Sequence, residues 1–436
     1  MKNTVIFYFL LCFCSPTYAI NWTFLDGTEP DGSTEQPQFL GYLQPDAQYL
    51  KGTKLDAGPY VGSRAIFNQV GPKLKDNDEL RIRRGGFSVR GLIPSTENKV
   101  NYYFVADIGR NGVTEFENEF ILPTDWSITF NTIPYARVRI GQYKYPGSEE
   151  GQQAISLINH NNPSNVSNLM MVERHFDETG YDTTHPNNPN GSIGAFRDIG
   201  IQIFDRFSVR NWEHTYAVMF GQGHGLNRRD DNGNIDYRLY WSSEDIFSGT
   251  RAKRQGMKLY GWYSDGTRSI DSGLGRKEEF SRRRYGVGMA YRNKPWRFYT
   301  EYMDGKGMLL TGTDGGALPG ASDSNGNIAS FNISVDGEAN GWYIDTGYHV
   351  FNNFEISLRY DRYNLSTESS SNQRLFNSIT LSGKYHIKKN IWILGSFESR
   401  HVEAPHLDSN SLANQILNDV DNRVSVSMLW VFPLFD

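Results

Sequence analysis

Residues 354–361 read Phe354-Glu355-Ile356-Ser357-Leu358-Arg359-Tyr360-Asp361, an unbroken alternation of apolar and polar side chains. A period of two places the apolar set on one face of a β-strand and the polar set on the other. The same alternation occurs at residues 126–131, 379–385 and 423–432. The chain is therefore predicted to be all-β, built from strands that each carry one apolar and one polar face.

The same alternation predicts sixteen strands along the chain. They lie near residues 37–46, 79–92, 99–110, 125–133, 136–144, 196–206, 212–222, 234–244, 254–264, 282–292, 296–305, 338–350, 354–364, 375–387, 391–401 and 422–433. An even number of strands is what a closed antiparallel barrel needs if both chain ends are to lie on the same side.

The connections between these strands alternate in length. The odd-numbered ones are long, at about 47–78, 111–124, 145–195, 223–233, 265–281, 306–337, 365–374 and 402–421. The even-numbered ones are short, at 93–98, 134–135, 207–211, 245–253, 293–295, 351–353 and 388–390. This rhythm is typical of a transmembrane 16-stranded antiparallel β-barrel with short periplasmic turns and long extracellular loops.

The first nineteen residues differ from the rest of the chain. Lys2 precedes an apolar run at 5–13, and Thr17-Tyr18-Ala19 resembles a signal-peptidase site. We predict a signal peptide over 1–19, cleaved after about Ala19, a short periplasmic extension over 20–36 and a barrel over 37–436. The two cysteines, Cys12 and Cys14, both lie in the predicted signal peptide.

Charge and composition exclude some classes of protein. Removal of Lys2 with the signal peptide lowers the 44 basic residues to 43, against 49 acidic ones, which argues against nucleic-acid binding. The mean hydropathy is low, at −0.55, although 14% of the residues are aromatic. A barrel with an apolar skin and a wet interior fits this combination. A secreted soluble β-protein fits it too, so composition does not separate the two.

Orienting the apolar residues toward lipid places many charged residues on the lumen face. The predicted pore-lining and anion-steering residues are Arg81, Arg83, Arg90, Arg137, Arg139 and Arg359. A guanidinium facing lipid at mid-membrane costs about 2–4 kcal/mol, which favours the inward orientation. A β-bulge at Gly85-Gly86 is predicted to keep the second strand in phase. For each arginine, an ion pair within the barrel wall is the alternative to solute steering.

The longest connection, 145–195, is the predicted constriction loop. It carries Glu149, Glu150, Glu173 and Arg174, a mixture of charges that would set a transverse field if the loop folded into the lumen. The alternative is a solvated external loop. Loop length alone carries this prediction.

Three stretches resemble the phosphate-selective porin O and P family. They are Phe39-Leu40-Gly41-Tyr42-Leu43-Gln44-Pro45-Asp46, residues 81–91 (RIRRGGFSVRG) and residues 138–146 (VRIGQYKYP). Glu173-Arg174 and Gly341-Trp342-Tyr343 show weaker similarity to the same family. The resemblance implies a sixteen-stranded, homotrimeric porin that passes small anions or general solutes.

The pattern and the resemblance together predict a porin of the bacterial outer membrane. It would form a water-filled channel for passive diffusion of small hydrophilic solutes, anions such as phosphate among them, in contact with membrane lipid and lipopolysaccharide. The alternative is an adhesin or receptor barrel that acts through its long extracellular loops. No nucleophile motif accompanies the nine histidines, so we expect no enzymatic activity, and no residue spacing suggests a metal or cofactor site.

Overall fold

A computed structural model describes residues 22, 36–50, 54–66, 78–97, 99–108, 121–172, 196–227, 230, 232–249, 254–271, 277–318, 320–329 and 331–434. Sixteen strands close into one antiparallel barrel, in which β1 (Gln38–Leu50) pairs with both β2 (Asp78–Leu92) and the last strand, β18 (Arg423–Pro433). The register at the closure runs from Leu40 opposite Pro433 to Leu50 opposite Arg423. The predicted fold class is confirmed.

The barrel strands follow the chain, interrupted once by two strands that lie outside the barrel. They are β1 (Gln38–Leu50), β2 (Asp78–Leu92), β3 (Val100–Ile108), β4 (Ile121–Phe130), β5 (Arg137–Lys144), β6 (Arg197–Val209), β7 (Trp212–Gly221), β8 (Asp236–Ser248), β9 (Gln255–Asp271), β10 (Lys277–Asn293), β11 (Trp296–Lys306), β14 (Glu338–Phe351), β15 (Phe354–Leu365), β16 (Arg374–Lys388), β17 (Ile391–Glu403) and β18 (Arg423–Pro433). A separate two-stranded sheet consists of β12 (Leu309–Thr313) and β13 (Phe331–Ser334).

Helices are short and lie in the connections. They are α1 (Glu149–Gln152), α2 (Leu412–Leu417), the 3-10 turns Pro94–Thr96, Ile155–Leu157 and Asp314–Gly316, and the π-helical turn Ser167–Met171. No helix in the described part of the chain combines the length and the apolar character needed to cross a membrane.

All sixteen predicted strands have a counterpart, but the predicted long connection 265–281 is wrong. Strands β9 and β10 continue through it and pair as far as Asp271 opposite Lys277. This extension contains few apolar residues, so it lacks the apolar–polar alternation that marks the other strands. It is held by backbone pairing and by the ion pair of Arg268 with Asp236 of β8. The sheet β12–β13, within the predicted loop 306–337, was also missed.

Exposure of the side chains separates the two faces of the wall. Apolar residues of the alternating stretches cover the outer face, where Leu80 is 81% exposed and Ile356 is 41% exposed. Their polar neighbours on the inner face are buried, and Thr380 and Ser425 have no exposed surface. Val138 is paired with Ile203, which is itself exposed, so it belongs to the same outer face. The predicted orientation, apolar outward and polar inward, is confirmed.

The bulge in β2 lies two residues before its predicted position at Gly85-Gly86. The register with β1 shifts between Gln44 and Pro45, and Arg83 is the extra residue on β2. Proline has no N–H to donate, so the ladder of hydrogen bonds is interrupted opposite it. The interruption fixes the bulge at Arg83 rather than at the glycines.

Three long connections pack on one another at one end of the barrel. An apolar cluster joins residues from 54–66, 314–329 and α2, namely Leu55, Tyr60, Ala65, Ala317, Ala329 and Ile416. Leu318 N donates to Arg64 O at 2.9 Å, and Asp56 N donates to Asp419 Oδ2 at 2.8 Å. These connections therefore form a packed unit over the barrel wall.

Candidate functional site

A segment between β5 and β6 lies inside the barrel. Residues 145–172, here called the inward loop, make hydrogen bonds to the lumen face of ten strands, which are β1, β2, β9, β10, β11, β14, β15, β16, β17 and β18. A segment can reach the inner faces of so many strands only by crossing the lumen. These contacts fix the position of the loop.

Glu149, the first residue of α1, anchors the first part of the loop to the wall by hydrogen bonds. Its Oε2 atom lies 2.6 Å from Nζ of Lys258 on β9. Its backbone N donates to Oε2 of Glu301 at 3.1 Å, and Glu301 also accepts from Trp262 Nε1 (2.8 Å) and Tyr343 Oη (2.9 Å). The wall thus supplies both a cation and a carboxylate to one residue of the loop.

Glu150 makes a second ion pair with the wall. Arg359 Nη1 lies 2.9 Å from Glu150 Oε1 and 3.1 Å from the carbonyl oxygen of Asn162. The backbone N of Ser164 donates to the same carboxylate at 3.1 Å. Arg359 therefore holds two parts of the loop together as well as holding them to β15.

His160 bridges two wall strands. Its Nδ1 atom lies 2.8 Å from Ser382 Oγ, and its Nε2 atom lies 3.0 Å from Asp345 Oδ1. Burial lowers the pKa of His160 below its ordinary value of 6.5, and the nearby Asp345 carboxylate only partly offsets this. The ring is therefore neutral at pH 7.

Two asparagines extend this contact. Asn161 Nδ2 donates to the carbonyl oxygens of Leu394 and Ser425, each at 3.1 Å. Asn162 Nδ2 donates to Glu398 Oε1 at 2.7 Å. A carboxamide offers donors and an acceptor on one short side chain, so it can bond both to backbone carbonyls and to side chains of the wall.

Basic wall residues also bind carbonyl groups of the loop. Lys384 Nζ donates to Ile158 O at 3.0 Å, and Arg284 Nε donates to Met170 O at 3.2 Å. Met170 is buried and packs in the largest apolar cluster of the lumen. Here the wall cations satisfy backbone acceptors that burial in the lumen would otherwise leave without water.

Two of the predicted anion-steering residues lie together on β2. Arg81 Nε is 2.8 Å from Asp46 Oδ1, and Arg83 Nη1 is 3.2 Å from Asp46 Oδ2. Arg83 Nη1 also donates to Asn162 Oδ1 at 3.2 Å. Both face the lumen as predicted, but each is bound to a carboxylate of the neighbouring strand. Their role in steering anions stays a prediction.

Arg139 on β5 is buried against the wall. Its Nε donates to Ser127 Oγ at 2.9 Å, and its guanidinium carbon lies 4.2 Å from the centre of the Tyr143 ring. Arg359, as described above, binds the inward loop. These two positions face inward, and their visible contacts are structural.

Arg90 and Arg137 are less enclosed. The Arg90 guanidinium lies over the Tyr103 ring, 5.5 Å from its centre, and is half-buried. Arg137 keeps 26% of its side-chain surface exposed, and its Nε lies 3.4 Å from Asp205 Oδ1. Arg90 and Arg137 therefore lie on the inner face and are only partly buried.

Some predicted residues lie outside the described part of the chain. They are the signal peptide 1–19 and, in the second half of the constriction loop, Glu173 and Arg174. The predicted periplasmic extension 20–36 is described only at Trp22 and Gln36. Trp22 lies beside the inward loop, where its Nε1 donates to Glu149 Oε1 at 2.6 Å, and the extension as a whole stays a prediction. A buried indole needs an acceptor for its N–H, and Glu149 provides that acceptor inside the barrel.

Sequence reasoning did not identify the loop's wall anchors Lys258 and Lys384. The signal available in the sequence was a lysine at a strand position that faces inward. The same signal is expected of a lysine that is only exposed to lumen water. The polar run His160-Asn161-Asn162 was a better signal, because its side chains suit bonding to a wall. Only the path of the loop distinguishes these possibilities.

The fold is that of known bacterial porins. The anion-selective porin from Comamonas acidovorans matches with a TM-score of 0.53 and 11% identity, covering 91% of this chain and 99% of that one. Salmonella typhi OmpF in complex with daunomycin matches with 0.51 and 10%, covering 91% and 98%. Pseudomonas putida OprB, in its high-pH structure, matches with 0.51 and 9%, covering 91% and 94%.

Sequence comparisons add no family. No protein-family model and no curated protein sequence matches the chain. The predicted membership of the phosphate-selective porin O and P family is therefore not confirmed, whereas the likeness to porin barrels is. At about one residue in ten identical, that likeness establishes the fold alone.

Proposed function

We propose that this protein is a porin of the bacterial outer membrane, a water-filled channel for passive diffusion of small hydrophilic solutes. The observation that carries the proposal is that the barrel wall is apolar on its outer face and polar on its inner face. Exposed apolar residues such as Leu80 surround a lumen face that includes Arg137 and Asp205. A closed barrel leaves no strand edge unpaired, so it can stand in lipid. A sixteen-stranded barrel is wide enough to hold a channel.

The inward loop supports a constriction in this channel. It crosses the lumen and places Glu149 and Glu150 there, each paired with a wall cation. Lys258, Glu149 and Arg359 are almost completely buried, so the loop would narrow the path mainly by the cross-section that it fills. Such a constriction selects solutes chiefly by size.

We further propose a preference for small anions, phosphate included. Its support is the placement of Arg90 and Arg137, which face the lumen and are only partly enclosed. A guanidinium offers a planar pair of donors that suits phosphate. The pairing of Arg81 and Arg83 with Asp46 argues for a modest preference rather than a strict one. Assembly as a homotrimer stays a prediction.

Single-channel recording in planar bilayers tests the proposal. We expect discrete conductance steps from protein that was extracted from membranes with detergent and is folded. A folded sample without conductance would contradict the porin function.

Reversal potentials in a KCl gradient test the charge preference. We expect an anion-selective potential that moves toward zero when Arg90 and Arg137 are both changed to alanine. Arg283→Ala is the matched control, because Arg283 is exposed on the β9–β10 hairpin, where it pairs with Asp265. An unchanged potential in the double variant would reject these two residues as the source of selectivity.

A further inference from the structure

Trp22 occupies the lumen although it precedes the first barrel strand by sixteen positions (38 minus 22). Only 3% of its surface is exposed, and its Nε1 donates to Glu149 Oε1 at 2.6 Å. An indole is the largest side chain and needs one acceptor when buried. Both requirements are met inside the barrel, beside the inward loop.

Glu149 provides a built site for this indole. Its two carboxylate oxygens serve different donors, because Oε1 accepts from Trp22 and Oε2 from Lys258 Nζ. Its backbone N is held by Glu301. The carboxylate is thus fixed from the wall side and presents its other oxygen to Trp22. The indole therefore sits where the inward loop begins its crossing.

The length of the chain allows this placement. Sixteen residues can span roughly 53 Å when extended, at about 3.3 Å each. The apolar band of an outer-membrane barrel is about 25 Å tall. A chain of sixteen residues is therefore long enough to join Trp22 at Glu149 to the start of β1.

We propose that Trp22 is a size-selecting residue of the channel, contributed by the segment before the barrel to the constriction formed by the inward loop. The inference rests on the proposed channel function and deepens it. The indole fills cross-section of the lumen beside Glu149 that water and solute would otherwise occupy, so its removal widens the path. The solutes most affected are those close to the limiting size.

Substitution of the indole tests this directly. We expect Trp22→Ala to raise single-channel conductance by at least about 1.3-fold, because conductance follows the open cross-section. Trp22→Phe keeps a ring without the N–H and should give a smaller rise. Trp296→Ala is the matched control, because this indole is 57% exposed on the outer face. It should leave conductance unchanged.

Solute uptake separates size from charge. In liposome swelling with neutral sugars of increasing size, Trp22→Ala should speed entry of the largest permeant sugar more than entry of the smallest. An unchanged or lower conductance together with an unchanged size limit would overturn the inference. A wild-type protein without any conductance would instead overturn the channel function, so the two failures are distinguishable.

Thiol labelling gives an independent measurement. Both natural cysteines lie at positions 12 and 14, within the predicted signal peptide, so Trp22→Cys would introduce a single thiol into the mature protein. A charged methanethiosulfonate reagent should lower the conductance of Trp22→Cys stepwise. Wild type and Trp296→Cys should not respond. A Trp22→Cys channel that the reagent leaves unchanged would place residue 22 away from the solute path and reject the inference.

Discussion

Nζ of Lys258 lies 2.6 Å from Oε2 of Glu149, and both side chains are almost completely buried inside the barrel. The pair joins β9 of the wall to the first residues of the inward loop. Burial removes water that would otherwise screen the two charges, so each depends on the other. The seating of the loop therefore depends on a small number of such pairs.

Removal of the lysine charge should release the start of the loop. Lys258→Met leaves the Glu149 carboxylate buried without its cation, which typically costs about 3–5 kcal/mol. We expect noisier single-channel currents and faster cleavage of the folded protein by protease within residues 145–172. Lys306→Met is the control, because Lys306 pairs with Glu338 at 2.7 Å with both side chains about half exposed. Equal behaviour of the two variants would contradict a role of Lys258 in seating the loop.

Arg359 should act on the loop more than on ion selectivity. Its guanidinium is buried and binds both Glu150 and the carbonyl of Asn162. We expect Arg359→Ala to destabilise the seated position of the loop. This effect should be smaller in a Glu150→Gln background, because the two residues share one interaction. Current noise and reversal potential are measured in all four proteins. A large shift in reversal potential without added noise would instead assign Arg359 to anion steering.

The seating of the loop should weaken in mild acid. The pKa of His160 is lowered where the ring is buried against Ser382 and Asp345, so the released loop binds a proton more readily than the seated loop. As pH falls through about 6.5, the released state gains stability by up to about 1.4 kcal/mol per pH unit. Above that pH no change is expected. The measurement is the number of transient current interruptions in single-channel records, counted from pH 8 to pH 5, which should rise as the loop is released.

His160→Gln is the matched variant for this pH dependence. Glutamine keeps a donor and an acceptor but does not titrate in this range. The variant should lose the component of the pH response that begins near 6.5. If wild type and His160→Gln respond to acid alike, another group is responsible.

The glycine at position 141 should resist substitution. Its φ of +133° is unfavourable for other residues, and a Cβ there would lie 2.1 Å from the carbonyl oxygen of Trp126. We expect Gly141→Ala to lose at least about 1–3 kcal/mol of stability. Gly395→Ala is the control, because a Cβ at that position meets nothing within 4 Å. Unfolding temperatures in detergent, followed by circular dichroism, should fall only for Gly141→Ala.

The sequence predicted what depends on short-range pattern. Stretches such as 354–361 identify their own strands, because the choice between lipid and water acts on each residue separately and repeats with a period of two. The prediction failed where a strand does not lie between lipid and water. The extension of β9 and β10 contains few apolar residues, so the apolar–polar pattern did not distinguish it from a loop.

By itself, the sequence determined the number of barrel strands, the face that each presents to its surroundings, and the closed antiparallel barrel. Only the tertiary structure decided the path of the inward loop and which charges meet there. Glu149 and Lys258 are 109 residues apart in the chain, and Trp22 and Glu149 are 127 apart. Such pairs form only after barrel closure brings distant strands around one lumen, so no local pattern can specify them.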